Sequence, residues 1–171
     1  MSLRTLPGRG RYAEKLYSLV GNDLLLDTLV MLCPGHASGL HGLYHWYQVL
    51  KNGLEIAKDS GADVEVVKLF ALFHDCMRKY DAANPGHGAE GAHAARLLRA
   101  RGVIKLDDSR LETLAYACTY HTDGLVSSDA TIGTCWDADR LDLLRVGIKP
   151  SVSKLSTETA RTEAVLCGSR W

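Results

Sequence analysis

Histidine and aspartate stand side by side at His74-Asp75, and two more residues of the same types flank them at long range. His45 lies 29 residues before His74, and Asp139 lies 64 residues after Asp75. Imidazole and carboxylate are the side chains that hold a hard-to-borderline divalent metal ion. His87 opens the run His-Gly-Ala-Glu-Gly-Ala, and His121 opens His-Thr-Asp-Gly. His45, His74, Asp75 and Asp139 fall on or beside strongly apolar helical segments, where an isolated polar group needs a reason to be. The set of six points to a two-metal hydrolase.

Each residue has a plainer reading beside this one. Asp139 shares a helical stripe with Ile132, Cys135, Trp136, Leu143 and Val146, so it points toward the core. A buried unpaired charge is costly, and Asp139 requires a cation. An arginine would serve, but the nearby histidines favour a shared metal ion. Asp137 and Asp142 fall off that stripe and are expected at the surface. His74 alone would read as a hydrogen-bonded core histidine. With Asp75 beside it at a helix end, both side chains can reach one ion, or the carboxylate can bridge two. His41 and His45 are one turn apart, and spacing alone does not say which is a ligand and which orients a ligand or substrate. His121 extends an inward stripe with Leu114 and Cys118. His87 opens a glycine-rich helix start, where free N–H groups also favour an anion. His93 is off its face and reads as surface. Arg78 and Lys79 follow the His-Asp pair, and Arg140 and Arg145 lie near Asp139. They read either as a solvated face or as phosphate clamps.

The elements that must position these groups are helices. The four prolines, Pro7, Pro34, Pro85 and Pro150, each fall where a helical pattern stops. Residues 11–32 predict one or two helices broken near Gly21-Asn22 and ended by Pro34-Gly35. Residues 40–59 predict a helix apolar on two sides, with Leu43, Trp46, Tyr47, Leu50, Leu54 and Ala57 on one stripe and His41, His45, Val49 and Ile56 on another. Such a helix is central in its bundle. Gly61 reads as its C-cap. Residues 63–75 predict a helix buried nearly all round, with Asp63 as N-cap. Further helices are expected over 88–101, 108–121, 129–146 and 157–167. The fold class is all-α, a single domain over 1–171.

Composition agrees. The chain has 171 residues, 46% hydrophobic and 23% charged, enough for a core of ordinary balance. Twenty basic and twenty acidic residues cancel, which argues against a chain built to coat nucleic acid. No apolar run approaches a membrane span and the N-terminus lacks a signal-peptide core, so a cytoplasmic protein is expected. Five cysteines, an odd number with no CxxC, read as reduced core residues rather than a disulfide framework.

The ordered pattern His45, His74-Asp75 and Asp139 resembles the HD superfamily of metal-dependent phosphohydrolases, whose signature is H…HD…D on a helical bundle. The spacing of His45 to His74 is the usual one in that family and selects His45 over His41. Asp-Ala-Asp-Arg-Leu-Asp (137–142) is similar to its last motif, and Arg78 takes the place of a lysine often found there. His-Gly-x-x-Gly-Ala (87–92) and His-Thr-x-Gly (121–124) are similar to motifs of bacterial HD-type diadenosine tetraphosphatases. The resemblance spans roughly 38–148. It implies a dinuclear site of His45, His74, Asp75, His87, His121 and Asp139, with Asp75 bridging. It also implies water activated by a divalent ion, and a phosphate held by Arg78, with Lys79, Arg140 and His41 as further substrate contacts. Iron or manganese is the first expectation; zinc, cobalt, nickel and magnesium are compatible. Expected partners are a small phosphorylated substrate, nucleotide-like, and a second copy of the chain through the first helices. If one ion alone binds, Asp75 becomes a general base. Two rivals stand beside this reading: a di-iron oxygenase, which uses the same ligand set, and a non-catalytic nucleotide-binding module, against which the intact set argues.

Overall fold

The computed structural model describes residues 11–32, 39–79, 81 and 84–168. Among these residues there is no strand; eight α-helices make the fold. They are α1 (Arg11–Val20), α2 (Asp23–Leu32), α3 (Leu43–Ser60), α4 (Val64–Phe73), α5 (His87–Ala100), α6 (Asp108–Tyr120), α7 (Ala130–Leu141) and α8 (Glu158–Gly168). Two 3₁₀ turns, Asp142–Val146 and Val152–Lys154, lie between α7 and α8. No helix among the described residues is long and apolar enough to cross a membrane. Pro34-Gly35, expected to end α2, and Cys33 lie outside the described residues, as does the side chain of Cys167.

Helix ends fall where local chemistry puts them. Gly21 and Gly61 take the left-handed conformation, at φ 70° and 74°, and close α1 and α3. The Asn22 side chain accepts from Leu25 N at 3.0 Å to start α2. Asp63 accepts from the N–H groups of Glu65 and Val66 to start α4. Asp129 does the same for Thr131 and Ile132 at α7.

The core is built around α3, α4 and α7. Helix α3 packs on α4 and α7 and also meets α1 and α8, as its two apolar stripes require. Trp46, Leu50 and Ile56 of α3 join Phe70 and Phe73 of α4 in a fully buried layer. Helices α5 and α6 pair with each other and close over α4. Cys76, Cys118 and Cys135 are buried and free, as small apolar residues.

Two expectations need correction. The helix read over 40–59 begins only at Leu43, so His41 lies in the turn before it. The helix read over 129–146 stops at Leu141 and continues as a 3₁₀ turn. The stripe projected past Leu141 therefore fails at Val146, which is exposed.

Candidate metal centre

Three helix C-termini converge on one point. His74 is the C-cap of α4 with Asp75 next, His121 is the C-cap of α6, and Asp139 lies in the last turn of α7. The negative ends of these helix dipoles favour a cation where they meet. His45 reaches in from the first turn of α3, and His87 from the first residue of α5. The two glycines of the His-Gly-x-x-Gly run let α5 come this close. A Cβ on Gly88 would stand 2.2 Å from Cys118 O, and one on Gly91 would stand 2.2 Å from Phe73 O. Helix α5 thus lies directly against the last carbonyls of α4 and α6, carrying His87 to the centre.

The six residues form two sets, each able to hold one ion: His45, His74 and Asp139, and Asp75, His87 and His121. In the first set, His45 Nε2 is 3.0 Å from His74 Nε2 and 3.3 Å from Asp139 Oδ1. In the second, His87 Nε2 is 3.0 Å from both His121 Nε2 and Asp75 Oδ1. Asp75 serves both. Its Oδ2 faces His45 and His74 at 3.5 and 3.6 Å, while its Oδ1 faces His87 and His121 at 3.0 and 3.6 Å.

Hydrogen bonds on the far side of each ring fix the tautomers. His74 Nδ1 donates to Phe70 O at 3.1 Å, His87 Nδ1 to Asn84 O at 2.7 Å and His121 Nδ1 to Cys118 O at 2.7 Å. A carbonyl only accepts, so each Nδ1 carries its proton and each neutral ring turns an Nε2 lone pair inward. His45 Nδ1 donates to Asp142 Oδ2 at 2.7 Å, and Arg145 Nε stands 3.4 Å from the same oxygen. This is the arrangement by which outer partners orient metal-binding histidines.

The residues fit a metal. Facing Nε2 lone pairs 3.0 Å apart repel unless a cation lies between them. Donor atoms about 2.1 Å from a shared ion stand roughly 3.0 to 3.4 Å from one another. Asp75 Oδ1 is buried without a hydrogen-bond partner. The approach of His87 to that oxygen is short but off the line of a hydrogen bond. Without a metal, the electrostatics show the same demand for positive charge. Burial opposes a charge on His45, but Asp139, Asp142 and Asp75 outweigh it and raise its pKa to about 10. His74 has less carboxylate help, and burial pushes it down to about 4. Burial also acts against charge on Asp75 and Asp139, yet the surrounding histidines hold both below the usual carboxylate range.

A cavity of about 360 Å³ opens from this floor. Arg78 lines it, with NH1 donating to His87 Nε2 at 3.2 Å and standing 3.7 Å from Asp75 Oδ1. His41 lines it too; its Nδ1 is 3.0 Å from Asp81 Oδ1, and its ring lies 5.9 Å from that of His45. Burial holds the His41 pKa below its usual value.

Other expected contacts differ. Lys79 is exposed, 3.9 Å from Glu90, and does not line the cavity. Arg140 lines it but is buried, and its guanidinium is engaged by the carbonyls of Gly124, Leu125 and Lys154. It supports the walls rather than presenting a free fork to phosphate. Asp137 and Asp142, expected at the surface, are buried at 0% and 5% exposure. Asp137 lies on the face of α7 covered by the segment before α8, and Asp142, three residues after Asp139, lies beside it at the end of α7 and meets His45. Asp142 is the residue of the candidate site that the stripe reading missed.

An all-α bundle with an ordered His, His-Asp and Asp set is the architecture of a metal-binding helical domain. The HD domain family model matches residues 42–150, and the chain belongs to that family. It is also similar to a crystal structure titled as a predicted HD superfamily hydrolase from an uncultured Thermotogales bacterium. The two share 26% identity at a TM-score of 0.65, over 99% of this chain and 92% of that one. No curated protein matches the chain.

Proposed function

We propose that this protein is a metal-dependent phosphohydrolase acting on a small phosphorylated substrate in the cavity beside Asp75. The observation that carries the reading is the division of Asp75, one oxygen toward each histidine set. His45, His74 and Asp139 would hold one ion, His87 and His121 the other, and Asp75 both. When bound, such ions supply Lewis acidity toward a phosphoryl oxygen and make a water acidic enough to attack near neutral pH.

The chain's own groups do the rest. Arg78 stands beside Asp75 at the cavity wall, where its guanidinium can pair with phosphate oxygens. His41, steadied by Asp81, offers its free ring nitrogen to the substrate. Asp142 and Arg145 keep the His45 ring in place from behind. The similar Thermotogales protein, titled a predicted hydrolase, supports the same reading.

The test begins with elemental analysis of protein purified without a metal-affinity tag, then reconstitution with iron or manganese. About two ions per chain and release of phosphate from phosphomonoesters or nucleotides, equally with and without oxygen, are the expected results. No metal after reconstitution, or turnover that requires oxygen, overturns the reading.

A further inference from the structure

Two buried charges on α7 hold a piece of chain that the metal site does not need. Arg140 donates to Leu125 O at 2.5 Å, to Lys154 O at 2.7 Å and to Gly124 O. One side chain thus ties the loop after α6 to the segment after α7. Asp137 accepts from Ser156 N at 2.8 Å, Thr157 N at 2.7 Å and Thr157 Oγ1 at 2.8 Å. Burial pushes the Arg140 pKa down and the Asp137 pKa up, so neither charge sits there without cost. What they fix in place is a wall of the cavity. Pro150, Ser151 and Lys154 line it, joined by Leu125 and Leu143.

This wall has a readable chemistry. Lys154 is exposed, and its ammonium makes no ion pair with another described residue. It is a third cation on the cavity, after Arg78 and the engaged Arg140. Leu125, Leu143 and Pro150 give apolar surface. Among the described residues no phenyl, phenol or indole ring lines the cavity.

We propose that the segment Pro150–Lys154 selects the substrate, with Lys154 receiving a second anionic group of a small organic phosphate and Arg140 positioning the wall. The proposal rests on the phosphohydrolase reading only for the place of the first phosphate. Its substrate class is a compact phosphate ester with a short apolar body and a second phosphate or carboxylate.

The test uses the full chain loaded with manganese or iron and two matched probes, phenyl phosphate and 4-carboxyphenyl phosphate. They differ by one remote carboxylate. The ratio of their kcat/KM values is measured for the wild type and variants, and the ratio of their Kd values by calorimetry. The wild type prefers 4-carboxyphenyl phosphate by about tenfold, a typical effect of one charge-assisted contact. Lys154→Ala brings the ratio close to one, and Lys154→Glu inverts it. Arg140→Lys raises KM for 4-carboxyphenyl phosphate with kcat and metal content kept, a split that simple loss of fold does not give. A ratio near one in the wild type, or one that Lys154→Ala leaves alone, overturns the proposal. So does binding of neither probe. If both probes bind without turnover, the hydrolase reading fails while the Kd ratio still decides the role of Lys154.

Discussion

Asp137 and Asp139 sit two residues apart near the end of one helix, and they do opposite things. Asp137 is completely enclosed and has its oxygens met by the N–H groups of Ser156 and Thr157 and by the Thr157 hydroxyl. Asp139, and Asp75 across from it, face imidazole Nε2 atoms instead. Asp75 is buried like Asp137, so burial alone does not mark function. The number of donors does. A carboxylate supplied with N–H donors stabilises the fold, whereas one left among lone pairs is stable only with a cation, and that cation is the functional element.

The sharpest way to break this contrast is Asp75→Asn. An amide offers one oxygen where the site uses two, and its NH₂ points at lone pairs meant for metal. Metal content is expected to fall below that of the wild type, and activity to drop by more than the roughly 100-fold typical of losing an outer partner. The metal-free variant keeps its helical circular dichroism and melts closer to the metal-free wild type than Asp137→Ala does. If it unfolds as readily as Asp137→Ala, Asp75 belongs with the structural carboxylates and the contrast fails.

Asp137→Ala is the counterpart. It strands two backbone N–H groups and a hydroxyl, at about 1 to 3 kcal/mol for each buried unsatisfied donor. A net loss of about 3 kcal/mol lowers the melting temperature by roughly 6 to 12 °C in a chain of this size. Metal content measured below the transition is unchanged. Loss of metal at a temperature where the variant is folded would show that the clasp reaches the candidate metal site.

Asp142→Asn sharpens the comparison, because Asp142 supports a ligand without being one. The amide can still accept from His45 Nδ1 but no longer carries charge. Metal affinity or activity is expected to fall about 10- to 100-fold, in the range of an outer-partner change, with the melting temperature moved less than by Asp137→Ala. A competition assay with a metal-sensitive dye reads it. An unchanged affinity would mean that Arg145 and the turn alone hold the His45 ring.

Asp142 also marks how far sequence reasoning reaches here. The six candidate ligands, which the structure brings together, were legible because each falls in a short motif or on an apolar face, and the helices because caps such as Asp63 and Gly61 stand where they should. Asp142 was hidden because the stripe was drawn too narrow: it stands three residues after Asp139, and i, i+3 spacing already puts the two side by side. Asp137 was hidden for another reason. A single-stripe reading assumes one buried face, but α7 is covered by α3 and α4 on one side and by α8 on another. Arg140 read as a phosphate fork because nothing local tells that the carbonyls of Gly124, Leu125 and Lys154 arrive at its guanidinium from distant positions.

The smallest expected effect tests the same idea at the other end of α4, far from the histidines. Asp63 caps the helix that ends in His74-Asp75, and it is held by Arg110 through two bonds of 2.7 and 2.8 Å. It is a fully supplied carboxylate, so it belongs with Asp137. Arg110→Ala keeps the cap and removes an ion pair that is about one third exposed, a loss of about 0.2 to 1 kcal/mol. The bond from Arg110, against a smaller burial effect, sets the Asp63 pKa below its ordinary value. Its folded pKa therefore lies under the unfolded one, and the stabilisation is present above pH 4 and lost as pH falls through the lowered value. Urea melts of wild type and Arg110→Ala should differ at pH 7 and converge near pH 2, and added salt should narrow the gap at pH 7. Metal content at pH 7 stays the same in both. A difference that persists at pH 2 would mean that the Arg110 side chain stabilises by packing, and Asp63 would lose its place among the carboxylates whose charge holds the fold.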